Sequence, residues 1–434
     1  MQNVKGTYDF FGQEQAIRRQ VRSVLQDVFE CYDFDEMDST VLNELDLLTS
    51  KYAGGDEIVK EMYRFTDQGS RSLGLRYDLT VPFAKVIALN PGIPFPYKRY
   101  EIGKVFRDGP VKRGRLREFL QCDADVVGVE GPEAEAELML LAAEVFRRLD
   151  IPITLRWNNR MFLGELLGAM GVAADEQPTV MLTLDKIDKI GKAAVVQELT
   201  DKGLQAPVVR AIAEWADMDD PGFEYLIQAY GIGNSKGSLE ARALQKLIGE
   251  VGLDAVCRFD PFLSRGLSFY TGTVYEIFDA SRTFASSLGA GGRYDAIIGK
   301  LVGREDIQYP TAGISFGMES IVEMIKNRPL ASRQSEVVVI PIGETNPDVL
   351  KTAAAFRSNG IRTRLETSGR KLKKSLAAAD ARGIRYAILI GEEEASAGQI
   401  RLKDLKEMTE VVVPMQAAID RIAPKQAGSR GGER

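Results

Sequence analysis

A long β-hairpin with a basic loop is the pattern in this sequence that most restricts its fold. Residues 97–108 and 117–129 alternate apolar and polar side chains, which predicts two strands, and Gly109, Pro110 and Gly114 predict the loop between them. From Lys104 to Glu118 the segment carries six Lys or Arg residues against two acidic ones, in a chain of net charge -6. Because arginine can bind a phosphate through two parallel hydrogen bonds, the hairpin predicts a nucleotide site, whereas a solvated basic loop is the simpler interpretation of its charge alone.

The absence of histidine limits the chemistry that this chain can perform. None of the 434 residues is histidine, which excludes serine-histidine and cysteine-histidine catalysis and removes the commonest metal ligand. Catalysis must therefore depend on carboxylates, Arg, Lys, Tyr, backbone groups or a metal ion held by oxygen atoms. Cys31, Cys122 and Cys257 are widely spaced, so the sequence predicts neither a disulfide framework nor a thiolate zinc site.

The length and the N-terminus set the class of protein. A chain of 434 residues predicts two or three domains. The first fifteen residues lack the apolar core of a signal peptide, and no apolar run approaches the roughly 20 residues of a membrane span. We therefore expect a cytoplasmic protein without membrane segments.

Local patterns predict the elements of the first half of the chain. Helical spacing of apolar residues predicts helices at 13–32, 81–88 and 133–149, and several short helices over residues 160–247. Strands are predicted at 34–41 and 73–80, and the alternation of the second places Arg76, Asp78 and Thr80 on one side, where they would line a site.

Glycine-rich segments dominate the pattern that follows. Strands are predicted at 255–259 and 272–278, a loop at 287–295, and a strand at 311–320 that runs into a helix ending at residue 326. The turns that carry Arg265 and Arg293 are predicted to face one another across adjacent strands. Recurrent glycine allows either close strand packing or close approach to a planar ligand.

Beyond a polar stretch, residues from 336 onward alternate strand and helix. This order predicts a small α/β domain with a mainly parallel sheet. The tail at 424–434 is rich in Gly, Ser, Arg and Lys and is predicted to be disordered.

Together these segments resemble the histidyl-tRNA synthetases, which are class II aminoacyl-tRNA synthetases. The resemblance rests on KGTYDF at residues 5–10, LRYDLTVPFAK at 75–85, the basic hairpin, RGLSFYTGTVYE at 265–276 and AGGRYD at 290–295. It implies a catalytic core with a six-stranded antiparallel sheet over residues 1–160 and 250–326, a helical insertion at 161–249, and an anticodon-binding-like α/β domain at 335–423. It also implies a homodimer that acts on L-histidine and tRNA(His).

The resemblance assigns candidate roles by position. Arg107 and Arg265 are the implied catalytic residues, since they match the arginines at the α-phosphate and at the reacting carboxylate. Asp78 can pair with an ammonium, and Asp125 can accept a hydrogen bond from an imidazole nitrogen. The implied histidine-binding residues are Asp78, Leu79, Thr80, Arg107, Gln121, Asp125, Arg265, Phe269, Tyr270 and Tyr294. The implied ATP-binding residues are Arg107, Arg115, Glu118 and Arg265.

The implied reaction uses ATP with Mg²⁺ and needs no histidine base. The carboxylate of the substrate is itself the nucleophile, so positioning and positive charge suffice, and the metal would be held mostly by ATP with no metal site from protein alone. For tRNA, Lys112, Arg113 and Arg115 are candidates for the acceptor end. The candidates for the anticodon stem are Arg370, Lys371, Lys373 and Lys374, although such a cluster is usually a solvated face.

Three positions depart from the family pattern. Thr40 replaces the usual Pro of motif 1, Ser268 replaces an Asp beside the pocket, and Ser320 replaces the Arg that ends motif 3. Arg115 and Arg304 are candidates to supply the missing cation. The departures leave an alternative to a working histidine-tRNA ligase, namely a non-catalytic paralogue that senses histidine or tRNA.

Overall fold

The computed structural model describes residues 1–49, 59–111, 114–218, 221–265, 269–304, 306–328 and 335–423. The chain divides into two compact units, 1–328 and 329–434. The predicted tail at 424–434 lies outside the described residues. The domain boundaries predicted inside the first unit stay a prediction.

The first unit contains eleven described strands and the helices between them. Its strands are β1 (Asp35–Glu36), β2 (Leu42–Glu44), β3 (Arg64–Thr66), β4 (Ser72–Leu75), β5 (Tyr97–Phe106), β6 (Glu118–Val127), β7 (Ile153–Asn159), β8 (Cys257–Phe259), β9 (Thr273–Asp279), β10 (Gly289–Arg293) and β11 (Thr311–Gly317). Its helices are α1 (Gly12–Cys31), α2 (Leu45–Thr49), α3 (Thr80–Leu89), α4 (Glu133–Arg148), α5 (Arg160–Ala169), α6 (Gln177–Leu184), α7 (Ile187–Ile190), α8 (Lys192–Asp201), α9 (Ala206–Asp217), α10 (Phe223–Tyr230), α11 (Lys236–Glu250), α12 (Ile297–Leu301) and α13 (Met318–Ile325).

The main sheet of this unit confirms the predicted antiparallel core and adds two strands. Its order is β1-β5-β6-β11-β10-β9-β7-β8. The six strands from β5 to β7 are joined by antiparallel pairings, whereas β1 and β8 attach at the edges in parallel. Helices α1, α4 and α13 pack on this sheet through apolar residues such as Phe29 and Phe146, whose ring centroids each lie 5.9 Å from that of Phe316.

Two predicted strands were too long. Residues 34–41 form a strand only at Asp35–Glu36, because the chain then turns so that Ser39 donates its N–H and its hydroxyl to the buried carboxylate of Glu101, at 3.0 and 2.9 Å. Residues 73–80 form a strand only to Leu75, and Thr80 begins α3. Asp78 favours that helix start, since its carboxylate accepts a hydrogen bond from the N–H of Val81 at 3.0 Å.

The predicted loop at 287–295 was wrong, because Gly289–Arg293 forms the central strand β10. A Cβ on Gly291 would lie 2.1 Å from the carbonyl oxygen of Gly313 on the neighbouring strand, so glycine permits this pairing. A central strand without β-branched residues gives little sequence signal for a strand.

The second unit has five strands and four helices in its described part. They are β12 (Val337–Pro341), α14 (Asn346–Ser358), β13 (Thr363–Leu365), α15 (Leu372–Asp380), β14 (Tyr386–Ile390), α16 (Glu392–Ala397), β15 (Gln399–Asp404), β16 (Thr409–Pro414) and α17 (Met415–Ile422). The sheet order is β13-β12-β14-β15-β16, and the first three strands are parallel as predicted. The last two strands are antiparallel additions that the strand-helix alternation does not predict.

Candidate active site

A cavity of about 500 Å³ in the first unit brings most of the candidate residues together. It opens over one face of the main sheet at strands β6, β10 and β11. Its described lining residues are Glu61, Tyr77, Asp78, Thr80, Arg107, Arg115, Phe119, Gln121, Asp123, Arg265, Phe269, Tyr270, Ser287, Gly289, Ala290, Ser315 and Gly317. Eight predicted residues are in this set, whereas Leu79, Glu118, Asp125 and Tyr294 lie outside it.

Strand β6 supplies the floor of the cavity. Side chains alternate along a strand, so Gln121, Asp123 and Asp125 share one face. Asp123 lies opposite Ser315 on β11 and opposite Glu101 on β5. All three β6 side chains are at most 8% exposed, which places two carboxylates and an amide in a nearly dry environment.

Arg107 is held on the cavity wall by groups from two segments. Its Nε donates to the carbonyl oxygen of Tyr77 at 3.2 Å, and its Nη2 donates to Oε1 of Gln121 at 3.0 Å. The guanidinium also stacks over the rings of Tyr77 and Phe119, at 4.3 and 5.0 Å from their centroids. These contacts fix a positive charge at the base of the predicted hairpin loop.

Gln121 connects Arg107 to Asp123. Its Nε2 donates to Oγ of Ser315 at 2.9 Å and to Oδ1 of Asp123 at 3.3 Å, while its Oε1 accepts from Arg107. Only this orientation of the Gln121 amide points its oxygen at the cation of Arg107 and its NH₂ group at the two acceptors. The sequence analysis missed Asp123, although period-two alternation along the predicted strand places it on the same face as Gln121 and Asp125, which the family resemblance had assigned.

The buried carboxylates have altered proton affinity. Burial raises the pKa of Asp123 to about 7, and the negative charge of Asp125 adds to the increase while Arg99 opposes it. Burial also raises the pKa of Asp78, against the hydrogen bond from the N–H of Val81 and the charge of Arg107. The cavity therefore holds one carboxylate, that of Asp123, which binds a proton near neutral pH in the absence of a bound cation.

Asp125 faces a buried network behind the cavity. Its Oδ2 lies 2.8 Å from Nη2 of Arg99, and its Oδ1 accepts a hydrogen bond from the hydroxyl of Tyr294. Arg99 is fully buried, donates to the carbonyl oxygen of Leu79 at 3.1 Å, and stacks over Phe83. Leu79 thus contributes a backbone acceptor, and its side chain is buried.

Arg265 approaches the cavity from a strained backbone. Its φ is 58°, in the left-handed region that non-glycine residues rarely adopt. Its Nη1 donates to Oε1 of Glu276 on β9 at 3.0 Å, and among the described residues its buried Nε has no hydrogen-bond partner. An unpaired N–H of a cation at a cavity indicates a site for a ligand oxygen.

Aromatic rings form one side of the cavity. The ring centroids of Phe269 and Tyr270 are 4.6 Å apart, and Phe269 meets the buried Tyr294 edge to face at 5.8 Å. Burial raises the pKa of Tyr270, so its hydroxyl remains a hydrogen-bond donor at neutral pH. Tyr294 supports this wall from behind.

Of the two predicted ATP-binding residues nearest the hairpin loop, Arg115 lines the cavity and Glu118 does not. Arg115 lines the cavity and pairs with Glu61 at 2.7 Å, and Glu61 also accepts a hydrogen bond from the hydroxyl of Tyr77 at 3.0 Å. Glu118 instead pairs with Lys104 outside the described cavity lining. Glu61 and Tyr77 gave no sequence signal, since their roles depend on tertiary contacts.

One other predicted placement was wrong. Arg76 does not share a side with Asp78, because its guanidinium is buried and donates to Oε1 of Glu101 at 2.7 Å. The segments that carry Arg265 and Arg293 meet at one end of the adjacent strands β9 and β10, where the N–H of Thr271 donates to the carbonyl oxygen of Arg293 at 2.8 Å. The Arg293 side chain itself forms an ion pair with Glu135 on α4 at 2.7 Å.

The three departures from the family pattern lie in different settings. Thr40 accepts a hydrogen bond from Nζ of Lys85 at 2.8 Å. Ser320 is buried in the first turn of α13, one turn beyond the cavity residue Gly317. Ser268 lies outside the described residues. Of the two candidate replacement cations, Arg115 lines the cavity, whereas Arg304 pairs with Asp306 at an exposed position.

The candidate tRNA contacts stay predictions. Lys112 and Arg113 lie outside the described residues. The basic cluster of the second unit is exposed around the start of α15, and its members are Arg370, Lys371, Lys373 and Lys374.

Comparisons with known proteins place these features in a family. A family model described as histidyl-tRNA synthetase matches residues 6–321, and one described as anticodon binding domain matches residues 336–425. Histidine–tRNA ligase 1 of Bacillus cereus is 43% identical over 426 residues, which cover 96% of this chain and 98% of that protein. Histidine–tRNA ligase 2 of Shouchella clausii is 44% identical over 424 residues, which cover 95% and 98%.

The fold is also similar to that of a solved structure from the same family. The crystal structure of histidyl-tRNA synthetase from Nostoc sp. PCC 7120 aligns with a TM-score of 0.81 at 27% identity, covering 97% of this chain and 99% of that one. Across the described part of the chain, no helix is long and apolar enough to cross a membrane.

Proposed function

The chain belongs to the histidyl-tRNA synthetase family, and from this premise we propose that it is a histidine–tRNA ligase. It activates L-histidine with ATP to histidyl-adenylate and then transfers the histidyl group to tRNA(His). The observation that carries the proposal is the charge pattern of the cavity, where Arg107, Arg115 and Arg265 lie with Asp78 and Asp123. An amino acid zwitterion beside a triphosphate requires both signs of charge within one site.

Histidine binding uses the acidic side of the cavity. Asp78, Thr80 and Gln121, which line the cavity, hold the α-ammonium group in this proposal. Phe269 and Tyr270 enclose the imidazole, whose nitrogens meet the carboxylates of the β6 face. Asp125 acts there together with Tyr294, since those two side chains are hydrogen-bonded to each other behind the cavity wall.

The first step needs positive charge and alignment rather than a general base. An oxygen of the histidine carboxylate forms a bond to the α-phosphorus of ATP, and the bond from that phosphorus to the leaving pyrophosphate breaks. Arg107 and Arg265 stabilise the charge on the α-phosphate and on the reacting carboxylate. The lack of histidine in the chain does not hinder this step, because the nucleophile is already ionised.

The second step transfers the activated group. A terminal ribose hydroxyl of the tRNA attacks the histidyl carbonyl carbon, AMP leaves, and the hydroxyl proton is released. The C-terminal unit, which the anticodon-binding family model matches, would bind the anticodon region through its exposed basic cluster. The acceptor end would approach the hairpin near Arg115.

Mg²⁺ is an expected companion of ATP. Because Mg²⁺ prefers phosphate and carboxylate oxygens and keeps several waters, most of its protein-independent ligands would be ATP phosphates. The described residues contain no group of three or more His, Cys, Asp or Glu side chains able to hold a metal ion. Glu61 fits the protein side of such a site, because its carboxylate lines the cavity and is only partly buried. When bound, the ion would neutralise part of the negative charge of the phosphates.

The remaining parts of the proposal are a homodimer and a cytoplasmic location. Light scattering coupled to size-exclusion chromatography tests the first, and fractionation of the source cells tests the second.

Pyrophosphate exchange tests the catalytic proposal. Histidine-dependent exchange of labelled pyrophosphate into ATP is expected, with the other amino acids inactive. Arg265→Ala should lower the rate of exchange by roughly 10³-fold, to a residual rate that is still measurable, while circular dichroism stays unchanged. Arg304→Ala is the matched control at an exposed ion pair. Absence of exchange combined with calorimetric binding of histidine would replace the ligase with the sensor alternative.

A further inference from the structure

The backbone of Arg265 is held by side chains from the helical region between β7 and β8. The N–H groups of Ser264 and Arg265 both donate to Oδ1 of Asp185, at 3.1 and 3.0 Å. On the opposite side, Nη1 of Arg160 donates to the carbonyl oxygens of Ser264 and Arg265, at 2.8 and 3.2 Å. Both hydrogen-bonding groups of the Arg265 backbone are therefore taken by side chains from the start of α5 and the end of α6.

A further contact fixes the residue before Arg265. Ser264 is fully buried, and its hydroxyl donates to the carbonyl oxygen of Met181 in α6 at 2.9 Å. Asp185 follows directly after the last residue of that helix. The C-terminal end of α6 thus supplies both a main-chain acceptor and a carboxylate acceptor to two consecutive residues.

These contacts explain how an arginine keeps a left-handed backbone. Such a conformation is unfavourable for an L-residue, and it persists where the surroundings determine it. At φ 58° the Cα–Cβ bond of Arg265 is directed so that its guanidinium reaches Glu276 and the cavity. If the N–H acceptor were lost, the backbone would relax to an ordinary conformation and the guanidinium would leave that position.

We propose that Asp185 is a positioning residue, through which the helical region holds Arg265 in its catalytic orientation. Asp185 is not among the described residues that line the cavity. This inference rests on the proposed function for its rate measurement only. In this proposal the C-terminal end of α6 supports the active site, and the helical region is not a module independent of it.

Steady-state pyrophosphate exchange with matched variants tests this role. Asp185→Ala should lower kcat by about 100-fold with KM for ATP changed by less than about 3-fold, because the cation is misplaced in the transition state. Asp185→Asn keeps an Oδ1 acceptor and should retain most of kcat. Asp188→Ala is the control, since Asp188 lies in the same region but pairs with Arg156 at the surface.

A double variant shows whether Asp185 acts by positioning Arg265 or by a general structural role. In an Arg265→Ala background, Asp185→Ala should have no further effect on kcat, because the side chain it positions is gone. An equal additional loss in that background, or a wild-type kcat for Asp185→Ala alone, would overturn the proposal. If Asp185→Ala does not fold by circular dichroism, Arg160→Met, which removes the donor to the two carbonyls, replaces it with the same expected pattern.

Hydrogen exchange keeps this test independent of the proposed function. The amides of Ser264 and Arg265 should exchange faster in Asp185→Ala than in the wild-type chain, and at the wild-type rate in Asp185→Asn. A wild-type chain without histidine-dependent exchange into ATP would refute the ligase, whereas unchanged amide protection in Asp185→Ala would refute the positioning role.

Discussion

Arg18 and Glu319, which are 301 residues apart in sequence, form an ion pair with two hydrogen bonds of 2.5 and 2.8 Å. Their side chains are only 5% and 10% exposed. Arg18 also lies 3.7 Å from the ring centroid of Phe10. The pair joins the first long helix to the start of α13, beside cavity residue Gly317, so it ties the N-terminus to the wall of the site.

Removing one partner of this pair should destabilise the first unit strongly. Arg18→Ala leaves a buried carboxylate without its cation, and we expect the free energy of unfolding in urea to fall by roughly 3–5 kcal/mol. Lys104→Ala is the control, because the Lys104–Glu118 pair is 61% and 30% exposed and should change stability by less than about 1 kcal/mol. A loss below that of the control would mean that the pair does not hold α13.

Asp123 should make stability depend on pH. Its pKa is raised to about 7 in the folded protein, so between about pH 4 and 7 the unfolded chain loses a proton that the folded chain keeps. The folded state binds more protons over this window, and stability therefore falls as pH rises through it. Relative to Asp123→Asn, which does not titrate, the wild-type chain should lose about 1 kcal/mol per pH unit between about pH 5 and pH 7, measured by urea unfolding, and the difference should level off above that range. Parallel curves for the two proteins would contradict the raised pKa.

The sequence predicted those parts of the site that depend on local alternation. The hairpin arms predicted at 97–108 and 117–129 are strands at Tyr97–Phe106 and Glu118–Val127, and the β6 face that holds Gln121 follows from them. Asp78 and Thr80 reach the cavity as predicted, but from a helix start rather than from a strand. The residue types at 73–80 are compatible both with a strand and with the start of a helix. Periodicity alone therefore did not distinguish the two structures.

The rest of the site depends on contacts between distant segments. Nothing local indicates that Asp125 would accept a hydrogen bond from Tyr294, or that Glu61 would pair with Arg115. The contacts of Asp185 to the Arg265 backbone span 80 residues. Such pairings are determined by how the whole unit packs. A single sequence carries no local pattern from which that packing can be predicted.

Gly313 should be intolerant of even one added methyl group. A Cβ at this position would lie 1.8 Å from Oδ1 of Asp125 and 3.2 Å from Cε1 of Tyr294. We expect Gly313→Ala to lower the free energy of unfolding by roughly 1–3 kcal/mol and to weaken histidine binding in calorimetry, because Asp125 must move away from Tyr294. Gly249→Ala is the matched control in α11, where the nearest atoms lie at 3.6 Å, and it should stabilise the chain by roughly 0.5–1 kcal/mol. Equal effects of the two substitutions would show that the contact with Asp125 is unimportant.

Arg115 should carry part of the phosphate binding that Ser320 cannot provide. It lines the cavity and its only described charged partner is Glu61, from which a more negative phosphate group can draw it. Arg115→Ala should therefore lower kcat/KM for ATP in pyrophosphate exchange by roughly 10²-fold or more, the usual effect of removing one charged donor to a developing charge. KM for histidine should stay near the wild-type value, since Arg115 lies on the hairpin side of the cavity with Glu61 and Tyr77.

Arg304→Ala is the matched control for this prediction. Arg304 is exposed and pairs with Asp306, so this variant should retain the wild-type rate. If Arg304→Ala instead lost the activity and Arg115→Ala kept it, the cation that compensates for Ser320 would be Arg304, and the ATP side of the site would have to be redrawn around the segment after α12.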